Sequence, residues 1–211
     1  MENLNLVLFI AIAIPLTMML FIFRGRSRTV LLFLLIGMAV CLFCGELNAM
    51  LLGLLRTDAH FFTVNISPLT EELCKAIPIV IFGFLYKPSR QTMLESAISV
   101  GVGFSLLENA FALAANSGSV SLPLALMRGF GAGMCHGVCT LAVGFGMTFI
   151  HKRRKLFYTG TAALLSAAAL YHAIYNDLVQ SGYAMVGFLL PVLTFVPAWI
   201  MLTRKQILGR Q

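Results

Sequence analysis

Charge is what this chain has least of. Only 11% of its 211 residues are Asp, Glu, Lys or Arg, where a soluble domain carries about 25%. A surface that poor in charge belongs in lipid rather than water. Apolar and polar residues do not alternate with period two, which excludes a β-barrel. Several catalytic signatures are also missing. No GxSxG segment supplies a nucleophilic serine, and no HExxH places two imidazoles and a carboxylate on one helix face. The five cysteines are odd in number and lie inside apolar runs. They read as small buried hydrophobes, not as a disulfide framework or metal knot. Cys135 stands beside His136, but adjacent helical residues point about 100° apart, which disfavours a thiol protease.

Apolar residues are abundant, at 59% of the chain, with a mean hydropathy of +0.91. Runs of about 20 such residues recur, each enough to cross ~30 Å of hydrocarbon as helix. The expectation is an all-α polytopic bundle in a single domain, 1–211. Its seven spans are expected near 4–23, 29–55, 68–86, 91–115, 122–150, 156–179 and 183–202. The net charge of +7 does not imply nucleic acid. Twelve of the 15 basic residues cluster at Arg24/Arg26/Arg28, Lys87/Arg90, Lys152/Arg153/Arg154/Lys155 and Arg204/Lys205/Arg210, each cluster at the end of an apolar run. Seven spans place all four on one side, with Arg56 alone opposite. That predicts an outside N-terminus and a cytoplasmic C-terminus in the cell membrane. The first basic residues follow the first apolar run, which disfavours a cleaved signal peptide. No internal repeat of the transporter kind is visible.

Against this background a few polar residues stand out inside the runs: Glu46, Glu71, Glu72, Lys75, Glu108 and Arg128, with Asn109, His136, His172, Asn176 and the span-end Asp177. Ionisable groups in lipid are expensive and face a bundle interior or a wet cavity. The topology puts most of them within about two helical turns of the outer ends, roughly 10 Å, with His136 deeper. Ser67 reads as an N-cap and Pro68 as a first helical residue, so Glu71 and Glu72 fall near the positive end of a helix dipole. Lys75 is four residues beyond Glu71, and one of the two glutamates is expected to pair with it while the other faces the cavity. Residues 56–65 read as a polar connection. Gly129, Gly133 and Gly137 form a small-residue seam for a neighbouring helix, and Arg128 is a natural counter-ion. His172 and Asn176 share a face.

Carboxylates, imidazoles and amides gathered on four spans are equipment for hydrolysis. A carboxylate takes a proton from water, while His or Asn donates to the developing oxyanion. Carboxylates sharing protons or a Zn²⁺ among Glu72, Glu108, His136 and His172 would each balance the excess negative charge. Without HExxH the sequence does not demand a metal. A proton- or ion-coupled transporter and a non-catalytic membrane chaperone use similar residues. The missing repeats and the one-sided depth of the cluster count against the transporter.

Four segments resemble the PrsW family of intramembrane proteases, relatives of the CAAX-protease and bacteriocin-processing superfamily. Glu71-Glu72-Leu73-Cys74-Lys75 resembles its EExxK motif, and the run from Gly103-Phe104 to Glu108-Asn109 its GFxxxEN segment. Arg128 with His136 resembles its R-x7-H motif, and His172 with Asn176 its final HxxxD/N motif. The motif-bearing core is about 67–177. The resemblance implies a peptidase cutting membrane-anchored proteins near the outer face, for example an anti-sigma factor. Glu71 or Glu72 would activate water, Glu108 and one histidine would hold it, and His172 with Asn176 would stabilise the oxyanion. Lys75, Asn109 and Arg128 would support them.

Overall fold

The computed structural model describes residues 4–115, 121–150 and 154–208, and all of its regular structure is helical. The elements are α1 (Leu4–Ile22), α2 (Gly25–Leu55), the short α3 (Ala59–Phe61), α4 (Ser67–Tyr86), α5 (Arg90–Ala115), the short α6 (Leu122–Leu126), α7 (Gly133–Met147), α8 (Arg154–Gln180) and α9 (Ala184–Leu208). Two π-helical turns, Phe62–Ile66 and Met127–Ala132, fuse α3 to α4 and α6 to α7. The described residues therefore form seven long helical runs. By length and composition α2, α5 and the continuous Leu122–Met147 run could each cross a membrane. Ile12–Ile22 and Ala184–Ala198 are shorter apolar stretches.

α5 is the centre of the bundle, packed most extensively on α2 and α7. Glycine permits the closest of these approaches. A Cβ on Gly103 would run into the backbone carbonyl of Leu34 in α2, and one on Gly101 into that of His136 in α7. The small-residue seam expected at 129, 133 and 137 is not where the helices meet most tightly. Nothing lies within 4 Å of a Cβ placed on Gly129, and Gly133 reaches only the Ser105 hydroxyl, at 4.0 Å. Gly137 meets α5 through the Ile98 and Val102 side chains, at 3.4 and 3.7 Å, in ordinary contact rather than backbone-to-backbone approach.

α4 shows the pattern of a helix built for lipid outside and polarity inside. Leu69, Leu73, Ile77 and Ile81 recur every four residues and are about half exposed, one stripe along the helix. On the opposite face Glu71, Glu72 and Lys75 are buried. The expectation that Ser67 caps this helix is corrected. The preceding π turn carries the winding straight through, Ser67 already has helical backbone angles, and its hydroxyl bonds to Glu71 instead. The region expected as a loose polar connection is largely helical too, with Phe62 and Val64 buried. The true start is near Asp58, whose carboxylate accepts from the Phe61 N–H at 2.9 Å. Glu71 and Glu72 thus lie deeper in a continuous run than the sequence implied.

One end of the bundle is apolar and tight: Phe33, Ile79, Met93, Ala97, Val100, Val143, Met147 and Phe157 form a single buried cluster. The junctions carrying Arg24/Arg26/Arg28 and Lys87/Arg90 lie at this end, where Arg26 pairs with Glu95 of α5, a residue the sequence reading passed over. Residues 116–120, 151–153 and 209–211, with Lys152, Arg153 and Arg210 among them, lie outside the described residues.

Candidate functional site

The other half of the bundle gathers the polar residues of four helical runs. Lys75 is the hub, with no exposed surface. Its ammonium donates to Glu72 Oε1 at 2.6 Å and to His136 Nδ1 at 2.7 Å, and lies 4.6 Å from the Phe104 ring centroid. The lysine pairs with Glu72, three residues back, and not with Glu71, four back. Glu72 Oε1 also accepts from His172 Nδ1 at 2.8 Å. One carboxylate oxygen is thereby shared between α4's own lysine and α8's histidine, which fixes the choice.

This arrangement sets both imidazoles. His172 donates through Nδ1, so its Nε2 is turned toward Glu71 Oε2 at 3.8 Å, too far for a hydrogen bond. His136 accepts from Lys75 at Nδ1, so its Nε2 donates to Glu108 Oε2 at 2.9 Å. The two rings meet edge to face with centroids 4.7 Å apart. Glu108 Oε1 lies 3.7 Å from the Arg128 guanidinium. Arg128 in turn donates through Nε to Asn109 Oδ1 at 3.0 Å.

A cavity of about 260 Å³ opens onto this cluster, lined by Glu71, Glu108, Arg128, His136, Tyr175 and Asn176 among others. Glu72 and Lys75 are sealed beneath it. Glu71 Oε2 and Glu72 Oε2 are buried without a hydrogen-bond partner, which is costly for a carboxylate oxygen. Glu71, His136 and His172 each present one ligand atom, all within 4.8 Å of one another. Two imidazoles and a carboxylate are the donor set of many catalytic zinc sites. An unpartnered carboxylate oxygen, with a carboxylate behind the His172 ring, is also the surrounding such a site needs. The donor set fits a metal, with His172 Nε2 and Glu71 Oε2 open to it; ligation by His136 would replace the hydrogen bond from its Nε2 to Glu108.

The two asparagines occupy matching places. Asn109 Nδ2 donates to the carbonyl of Arg128 at 3.1 Å, and Asn176 Nδ2 donates to the carbonyl of Thr63 at 3.1 Å. Each anchors one of the π turns that frame the cavity, a common setting for π winding. Asn176 therefore sits on the rim with its amide already engaged, while His172 lies below. Glu46 and Asp177 are exposed. Ser67, Thr63 and Tyr175 line the cavity and were not singled out for it by sequence. No motif spacing marks them, and only the folded chain places them there.

The sequence model of a family described as PrsW family intramembrane metalloprotease matches residues 25–202, from the start of α2 to late α9. No curated protein and no solved structure matches the chain.

Proposed function

The chain belongs to the PrsW family of intramembrane metalloproteases, and from that premise we propose that this cavity hydrolyses peptide bonds of membrane-anchored proteins close to the outer leaflet. As a member it is a membrane protein and a peptidase, and its substrates are membrane-embedded proteins. The proposal adds the site, its depth and the division of labour. The observation that carries it is the cavity itself: Glu71, Glu108 and His136 line one space, with an unpartnered Glu71 oxygen facing His172.

The depth follows from α5. Glu108 lies 18 residues beyond Arg90, about 27 Å along a helix at 1.5 Å per residue, so a cytoplasmic Arg90 puts Glu108 near the far side of a ~30 Å core. The seven long helical runs among the described residues support seven spans; the N-terminus lies outside and the C-terminus in the cytoplasm of a cell-membrane protein in this reading. Fusion of topology reporters at 56–58 and 87–90 tests this; the first is expected outside and the second inside.

Glu71, His136 and His172 would hold the metal, which would supply Lewis acidity at the scissile carbonyl and toward water. The chain's own residues do the rest. Glu72 and Lys75 hold the two rings from below and touch no substrate. Glu108, open to the cavity, takes the proton from the attacking water and returns it to the leaving amine. Arg128 on the wall, with the second amide hydrogen of Asn176, donates to the developing oxyanion. The same cavity also accommodates a metal-free route, with Glu71 as the base and His172 beside Asn176 as donors.

The experiment is a pair of substitutions in purified protein. Glu108→Gln is expected to lower turnover by roughly 10²–10⁴-fold while leaving zinc bound. Glu71→Gln is expected to lose both turnover and zinc. Full turnover in both variants sinks the proposal. Zinc-independent turnover in the wild type favours the metal-free route. Comparative proteomics of membranes carrying wild type or Glu108→Gln identifies the substrate class, with anti-sigma factors a first candidate.

A further inference from the structure

We propose that Ser67, itself held by Asn48 of α2, is a positioning residue that fixes the Glu71 carboxylate so that only Oε2 faces the histidines. The inference rests on the reading of this cavity as the peptidase centre, and it brings in a helix that carries none of the family-like motifs.

The chain of hydrogen bonds has a direction. The single Thr70 hydroxyl proton has two acceptors in reach, Asn48 Oδ1 at 2.5 Å and the Ser67 carbonyl at 2.8 Å; given to the nearer, it turns the amide oxygen of Asn48 toward Thr70. Asn48 Nδ2 is then free to donate to Ser67 Oγ, at 2.9 Å. With that lone pair engaged, the Ser67 hydroxyl proton goes to Glu71 Oε1, at 2.6 Å. Ser67 is buried, and it lines the cavity beside Glu71.

The consequence is orientation. The last torsion of a glutamate side chain is soft and roughly two-fold, so a carboxylate with no restraint would present either oxygen or swing between the histidine and the cavity wall. Occupying Oε1 removes that freedom. Oε2 is left buried and without a partner, 3.8 Å from His172 Nε2. Outer groups that hold a ligand or reacting carboxylate commonly matter 10–100-fold. Glu72 is oriented differently, by Lys75 and His172. The two adjacent glutamates thus have separate supports, one from the interior and one from α2.

The test compares Ser67→Ala, Ser67→Thr and Asn48→Asp with the wild type and with Ser96→Ala. The last removes another buried hydroxyl, on α5 twelve residues before Glu108, about 18 Å along the helix. Steady-state cleavage of a membrane-anchored reporter gives kcat and KM. Competition with a chromophoric chelator gives the zinc dissociation constant. Ser67→Ala is expected to lower kcat by about 10–100-fold with KM unchanged, and to weaken zinc by a similar factor. Asn48→Asp cannot donate to Ser67 and should follow the same direction. Ser67→Thr keeps the hydroxyl and should recover both quantities, and Ser96→Ala should match the wild type. A kcat loss without a zinc loss still supports the positioning of Glu71, as a base and not a ligand. Wild-type kcat and zinc affinity in Ser67→Ala, beside an inactive Glu71→Gln, overturn the inference and leave the peptidase reading standing. A fully active Glu71→Gln overturns both.

Discussion

Two ion pairs inside the helix bundle are separated by a single imidazole, and they differ in almost everything else. Lys75–Glu72 has no exposed surface on either side chain, whereas Arg128 and Glu108 are 28% and 34% exposed. Lys75 has Glu72, His136 and the Phe104 ring around it, which leaves no room for a reactant. Arg128 and Glu108 sit 3.7 Å apart on the wall of a cavity. His136 joins the two, accepting from Lys75 and donating to Glu108. The contrast separates a pair that orients from a pair that is free to meet substrate.

The largest effect should come from breaking the closed pair. Lys75→Met leaves the Glu72 carboxylate buried without its cation, a loss of about 3–5 kcal/mol, measured as unfolding in detergent. If the protein unfolds in the cell, expression with Glu72→Gln in the same chain should restore part of the yield, because the orphaned charge is gone. Equal stability of Lys75→Met and wild type would erase the distinction.

A smaller effect separates the tight half from the open half. Gly103→Ala pushes a methyl into the Leu34 carbonyl and should cost about 1–3 kcal/mol. Gly129→Ala meets nothing within 4 Å and should stay within roughly 0.5 kcal/mol of wild type. Thermal unfolding of the two variants side by side decides it. Phe104→Leu removes the ring beneath the ammonium, worth about 0.5–2 kcal/mol. In a double-mutant cycle the loss should shrink when Lys75 is already Met. A small effect is likewise expected of Arg128→Gln, less than about 1 kcal/mol, because its side chain is 28% exposed and lines the cavity. Its effect belongs in turnover.

Much of the site was legible before the chain was folded, for an energetic reason. Carboxylates and imidazoles inside apolar runs are too costly to be incidental, so Glu71, Glu72, Lys75, Glu108, Arg128, His136 and His172 announced themselves by position. Their partners did not. Lys75 had two glutamates within helical reach, and Glu72 prevails because a histidine 100 residues away shares its oxygen. Ser67 before Pro68 looks the same in sequence whether it caps a helix or lies inside one. The π turn upstream decides, and a π turn has no local signature here. Spacing puts Asn176 on one helix face with His172, yet its amide reaches a Thr63 carbonyl on another helical run. The glycine spacing at 129, 133 and 137 was a true pattern of small residues, but which glycines take a neighbour depends on which helix arrives.

The sequence by itself determined that this chain is helical and lives in lipid, and which ionisable residues must find company there, because hydrocarbon penalises unpaired charge wherever it falls. Only the tertiary structure decided who the company is. A hydrogen bond needs two groups within about 3 Å, and that distance is set by the crossing of helices far apart in the chain. The closed pair beneath and the open pair above follow from how α4, α5, α7 and α8 meet.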